Sequence, residues 1–148
     1  MIPCPPMKAL CSALGLALVA ASLAVPSIGR AEPPNYTVDV SKSTTAVEVG
    51  RSGRLAVHIQ PAEGYKVNEK GPLGLKLSAP EALALEKAAL GRADAQGETT
   101  SPEFACGFDA KAPGEQPITV EATFILCDTA GTICEMKREK VEVAVVVK

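Results

Sequence analysis

Ile118-Thr-Val-Glu-Ala-Thr-Phe-Ile-Leu-Cys127 sets Ile118, Val120, Ala122, Phe124 and Leu126 on one face and Thr119, Glu121 and Thr123 on the other. A period of two is the pattern of a strand with one buried face. After six intervening residues, Gly131 among them, Cys134 opens a second run that ends with Val141, Val143, Val145 and Val147 on one face. Two such runs around a short Gly-containing turn read as a hairpin, with Cys127 and Cys134 where each strand meets the turn.

Working outward, Tyr36–Val40, Ala46–Val49, Arg54–Ile59, Leu73–Leu77 and Phe104–Asp109 also read as strands. Gly50-Arg51-Ser52-Gly53 is expected to be a hairpin turn joining the second and third of these. Gly64 marks a tight turn before a short extended piece that runs to Asn68. Ala79 to Leu90 suits a helix by composition, with Pro80 to open it and Gly91 to cap it, but Leu83, Leu85 and Lys87 alternate and the surroundings are strand-rich, so strand or irregular extended structure is expected. Arg92–Pro102 reads as a polar loop and Lys111–Pro117 as a turn. Short strands separated by Gly and Pro, without a βαβ rhythm, indicate an all-β antiparallel β-sandwich. Tryptophan is absent, so the core is expected to be aliphatic, with Phe104, Phe108 and Phe124 as its aromatic members.

The N-terminus bears on compartment. Lys8 precedes a charge-free apolar run, Ala9 to Val25, and Gly29-Arg30-Ala31 supplies small residues after Pro26. That is the layout of a secretory signal peptide (1–31), with cleavage expected after Ala31 and Met7 as a suitable start. Cys11 precedes the apolar run, so it is not placed for lipid attachment, and Cys4 and Cys11 would leave with the signal. The run is shorter than the roughly 20 apolar residues of a spanning helix. The expected mature chain is one soluble domain, 32–148, without a transmembrane segment and exported to the periplasm. It carries 13 basic and 17 acidic residues, a net charge of −4. A mildly acidic chain is a poor partner for nucleic acid or anionic lipid.

Three cysteines remain: Cys106, Cys127 and Cys134. In an oxidising compartment neighbouring cysteines pair, and an odd count leaves one over. Facing residues of antiparallel strands have Cα atoms about 4.5–5.5 Å apart, within the roughly 4.4–6.8 Å that disulfides accept. A Cys127–Cys134 bond is therefore easy, and it can serve as a structural staple or as a redox device. Cys106 alternates with Phe104 and Phe108, so it is expected to be a buried free thiol. Pairing with another chain or with a hairpin cysteine is the alternative. Asp128 and Glu135 flank the pair and oppose a thiolate, whereas Lys137 favours one.

His58, the only histidine, lies opposite Leu55, Val57 and Ile59 and is expected to be exposed. With one histidine and no Cys-x-x-Cys spacing, no metal site is expected. Met136 and the cysteines are at most slender copper(I) ligands. Lys137-Arg138-Glu139-Lys140 reads as a solvated strand segment. No Ser/His/Asp arrangement, phosphate loop or cofactor motif is evident.

From about Leu55 to Val147 the order of features resembles a known domain. The carrying residues are His58-Ile-Gln-Pro-Ala-Glu-Gly-Tyr65 before a Leu-rich strand, then Thr119–Leu126, Cys127 and Cys134, and a Lys-rich step into a Val-rich strand. They are similar to the N-terminal, disulfide bond corrector domain of the DsbD-type thiol–disulfide interchange proteins. The resemblance implies an immunoglobulin-like sandwich whose two hairpin cysteines are catalytic. They would take electrons from a membrane-embedded partner and pass them to periplasmic thiol oxidoreductases. That role falls on Cys127 and Cys134 alone. Where the family commonly has aromatic and proline residues after its second cysteine, Glu135-Met136-Lys137 stands here.

Overall fold

The computed structural model describes residues 35–148. The expected signal peptide (1–31), its cleavage after Ala31, Met7, Cys4 and Cys11 lie outside the described residues. The described residues form eleven strands: β1 Tyr36–Asp39, β2 Ala46–Val47, β3 Ser52–Pro61, β4 Tyr65–Val67, β5 Leu73–Ser78, β6 Leu83–Leu85, β7 Ala89–Gly91, β8 Gln96–Glu98, β9 Ser101–Ala110, β10 Gly114–Asp128 and β11 Cys134–Val147. Arg92–Asp94 forms one 3₁₀ turn.

The strands make two sheets packed as an all-β sandwich. The first sheet runs β1-β3-β9-β6, with β8 also on β9. The second runs β2-β11-β10-β5-β7, with β4 also on β10. All pairings are antiparallel except β2 with β11, which is parallel. The opening stretch lies in β10, and its register with β11 runs unbroken from Gly114↔Val147 to Cys127↔Cys134.

The alternation sorts the side chains as the sequence implies. Ile118, Val120, Ala122, Phe124 and Leu126 of β10 are buried with Val143, Val145 and Val147 of β11. They meet Leu55, Val57 and Ile59 of β3 and Phe104, Cys106 and Phe108 of β9 in one core. Tyr36 packs edge-on against Phe124, with ring centroids 5.0 Å apart. Its hydroxyl donates to Glu139 at 2.6 Å, which ties β1 to β11 across the open side of the sandwich.

Two local expectations are corrected and a third holds. Gly50–Gly53 is not a hairpin turn but the crossing between sheets. Val49 N–H donates to Lys148 beside β11, and Gly50 N–H to Ala110 of β9. A hairpin would leave both strands in one sheet, whereas this bend, with Gly50 at φ +83°, gives one to each. Arg92–Pro102 is not all loop. It contains the 3₁₀ turn, β8 and the start of β9, and all three β8 residues are exposed, so no apolar period marks the strand. The stretch from Ala79 to Leu90 is extended, as expected, and carries β6 and most of β7.

Candidate functional site: the tip of the long hairpin

Cys127 and Cys134 are bonded, with S–S 2.07 Å and Cα atoms 4.1 Å apart. The ladder explains the location. Asp128 N–H donates to the Ile133 carbonyl at 3.0 Å and closes the turn. The next pair inward is then the close, non-hydrogen-bonded kind, whose side chains approach most nearly.

The two sulfurs have different surroundings. Cys127 is 1% exposed, whereas Cys134 is exposed to solvent. Both lie on the outer face of the second sheet, opposite the core face of Leu126. β4 flanks Cys127 through Lys66, and β11 flanks it on the other side. Beyond β11, β2 pairs only with Val146 and Val147, so Cys134 lies on a strand whose outer edge is open at this end. The apolar side chains of Ile133 and Met136 are exposed nearby.

The loop after β4 covers Cys127. Asn68 N–H donates to the Ile125 carbonyl at 2.8 Å. Asn68 Oδ1 accepts from the backbone N–H groups of Lys70 (2.8 Å) and Gly71 (2.7 Å). Arg92 Nη2 donates to the carbonyls of Asn68 (3.0 Å) and Gly71 (2.5 Å). Gly71 packs so tightly on Ile125 that a Cβ there would come within 2.8 Å of its Cδ1. Asn68 Nδ2 then points at Cys127 Sγ, 3.4 Å away.

The flanking charges are engaged locally. Asp128 accepts from Thr132 N–H (2.7 Å), Thr132 Oγ1 (2.6 Å) and Ile133 N–H (3.2 Å). The Thr132 hydroxyl and the Ile133 amide hold its carboxyl below the usual range. Glu135 pairs with Lys137 at 2.8 Å, and that lysine lowers its pKa too. Each carboxylate therefore directs part of its charge at a partner other than the sulfurs.

Cys106 is 3% exposed and unpaired, with its thiol 3.6 Å from the Lys87 carbonyl. His58 departs from its expected exposure: its side chain is 22% exposed. Ser101 Oγ lies 2.8 Å from its Nε2, Gln60 Nε2 3.0 Å from its Nδ1, and Glu103 3.5 Å from Nδ1. A Ser–His–Glu grouping thus exists that no sequence spacing announces, since β3 and β9 bring it together across 43 residues. Gln60 Nε2 is a donor only, so Nδ1 accepts from it and the ring proton sits on Nε2, facing Ser101. Ser101 in turn donates to the Ile59 carbonyl at 3.1 Å. An imidazole that donates to the serine cannot activate it, so this is a structural network. Among the described residues no cluster of three or more His, Cys, Asp or Glu side chains is placed to hold a metal, and no helix is long and apolar enough to cross a membrane.

No family model matches the chain, and no curated protein matches it. Several solved structures are similar. Domains 4 and 5 of the S-layer protein SbsC align at 17% identity and TM-score 0.46, over 78% of this chain and 53% of that one. This chain thus spans about half of that structure. A conjugative transposon lipoprotein from Bacteroides eggerthii aligns at 11% identity and TM-score 0.43, over 76% of this chain and 98% of that one. A conjugate transposon protein from Bacteroides vulgatus aligns at 12% identity and TM-score 0.41, over 82% and 91%. Likeness at this level carries no argument about function. The described residues form a small β-sandwich with a disulfide at the tip of its long β10–β11 hairpin.

Proposed function

We propose that this chain is an exported, periplasmic thiol–disulfide exchange module that relays electrons through Cys127 and Cys134, as its sequence resemblance to the DsbD-type N-terminal domain implies. The observation that carries the reading is the inequality of the two sulfurs: Cys134 exposed, Cys127 1% exposed. Exchange needs one sulfur that an incoming thiolate can reach and one that leaves. A thiolate of a dithiol oxidoreductase attacks Cys134 Sγ, and the electron pair of the broken bond goes to Cys127 Sγ. The oxidoreductase's second thiolate then attacks its own first sulfur and releases Cys134. The partner ends as a disulfide and this chain as a dithiol. The signal-like N-terminus, with Lys8 before Ala9–Val25, supports the compartment.

The test pairs two single-cysteine variants. Cys127→Ala keeps the exposed Cys134 and should form a mixed disulfide with oxidised glutathione about tenfold or more faster than Cys134→Ala, because access governs the rate. Equal rates would overturn the assignment of attacked and leaving sulfur. A reduction potential far below about −300 mV would overturn the relay itself.

One observation favours a second reading, a non-enzymatic binding or accessory module with a structural disulfide. Asp128 already ties the turn internally, and Cys127 is covered by the Asn68 loop, as in a bond meant to persist. The same potential measurement separates the two.

A further inference from the structure

Among the described residues, one hydrogen-bond donor is aimed at the disulfide: Asn68 Nδ2, 3.4 Å from Cys127 Sγ. We propose that Asn68 is a thiolate-stabilising residue, held in place to accept the charge that develops on Cys127 when a dithiol attacks Cys134. This rests on the redox reading above and adds to it the group that assists the leaving sulfur.

The amide cannot turn around without loss. Its Oδ1 is committed to two backbone N–H groups, Lys70 and Gly71. Swapping oxygen and nitrogen would set the amide N–H₂ against those two donors. The residue's backbone is fixed as well, its N–H on Ile125 and its carbonyl on Arg92. The loop that Asn68 organises therefore determines that an N–H, not a carbonyl, meets the sulfur.

The direction of the effect follows. A disulfide sulfur is a weak acceptor, so the bond contributes little in the oxidised state. A thiolate is a charged acceptor, and charge-assisted hydrogen bonds are roughly twice as strong as neutral ones. An interaction stronger after the charge develops favours the step that develops it. The donor is also already oriented before reaction, so no reorganisation accompanies charge formation. As S–S cleavage delivers the electron pair to Cys127 Sγ, Asn68 N–H holds it there. The dithiol supplies both electrons, and protons from solvent complete the reduced pair.

Asn68→Asp isolates the one atom in question. It keeps an oxygen for Lys70 and Gly71 and replaces the amide N–H₂ facing the sulfur with a second carboxylate oxygen. In a Cys134→Ala background, thiolate absorbance against pH should place the Cys127 pKa at least about one unit higher, tenfold less thiolate at a pH below both values. With both cysteines present, the equilibrium with glutathione should move about tenfold toward the disulfide, about 30 mV. Asn68→Ser, which retains a smaller acceptor for the loop and no N–H for the sulfur, should move both readouts the same way and carries the test where Asn68→Asp loses the fold. An unchanged Cys127 pKa and an unchanged equilibrium, in variants whose oxidised forms melt like the parent, would overturn the role of Asn68. That result leaves the relay standing if the parent itself exchanges with glutathione. A parent that resists glutathione altogether overturns the relay, and the thiolate titration still decides what Asn68 does to Cys127.

Discussion

The two ends of the β10–β11 hairpin share one ladder and are held by different physics. At its root, Ile118 and Val120 are fully buried with Val143, Val145 and Val147 under the first sheet. At its tip, β11 carries exposed Glu135 and Met136 and a half-buried Lys137, and order comes from the disulfide, the Asp128 bonds and the Asn68 loop. Apolar burial is lost only when the sheets separate, whereas a cross-link can open while the sheets stay together. The proposed exchange would need a bond at the second kind of place.

The largest blow to that contrast comes from the root. Ile118→Ala, at 0% exposure, should cost about 2–5 kcal/mol in chemical denaturation. A loss under about 1 kcal/mol would mean that the root is not the stabilising end. Removing the tip bond should cost less. With both hairpin cysteines changed to alanine, the eight-residue loop gives up about 2.5 kcal/mol on the chain-entropy model, and the sheet signal in circular dichroism should survive. Global unfolding of that variant would show that the tip is not separable.

Tyr36 tests the midpoint, where β1 reaches Glu139. Burial first, and then the Glu139 carboxylate that accepts its hydrogen bond, push the phenol up to about 12. The folded state thus prefers the protonated phenol, so this contribution is complete below the unfolded value near pH 10 and fades as pH rises toward 12. Tyr36→Phe should cost about 0.5–1.5 kcal/mol at neutral pH and should flatten the loss of stability between pH 10 and 12. A parent and variant with parallel alkaline profiles would remove Tyr36 from the account.

The smallest effect is at Asp128. Its lowered pKa means that its bonds support the fold above the unfolded carboxylate value and are lost as pH falls through the folded one. Asp128→Ala should speed amide exchange at Thr132 and Ile133 at neutral pH with little change in global stability. Protection that is unaltered at those two amides would show that the backbone alone orders the turn.

Much of this was legible in the chain. The β10 and β11 faces, the β3 and β9 faces, and the closeness of Cys127 to Cys134 follow from a period of two and a short turn. What was not legible has specific causes. Gly50–Gly53 has hairpin composition, yet which sheet receives each neighbouring strand is set by the β2–β11 and β3–β9 pairings. β8 is polar throughout, so only its partner β9 makes it a strand. His58 faces away from the core as its alternation implies, but Ser101, Gln60 and Glu103 cover it. Asn68 carried no signal, because a donor to sulfur is defined by where its loop lies.

The sequence by itself determined which residues are apolar on each strand and that two cysteines flank one turn, since both are local consequences of side-chain period and spacing. The tertiary structure alone decided that the sulfurs are unequal. Cys127 is covered because a loop more than fifty residues earlier in the chain folds over it, and Cys134 is open because β2 pairs only with the far end of β11. Exposure is a property of what packs from elsewhere, and no local pattern records it.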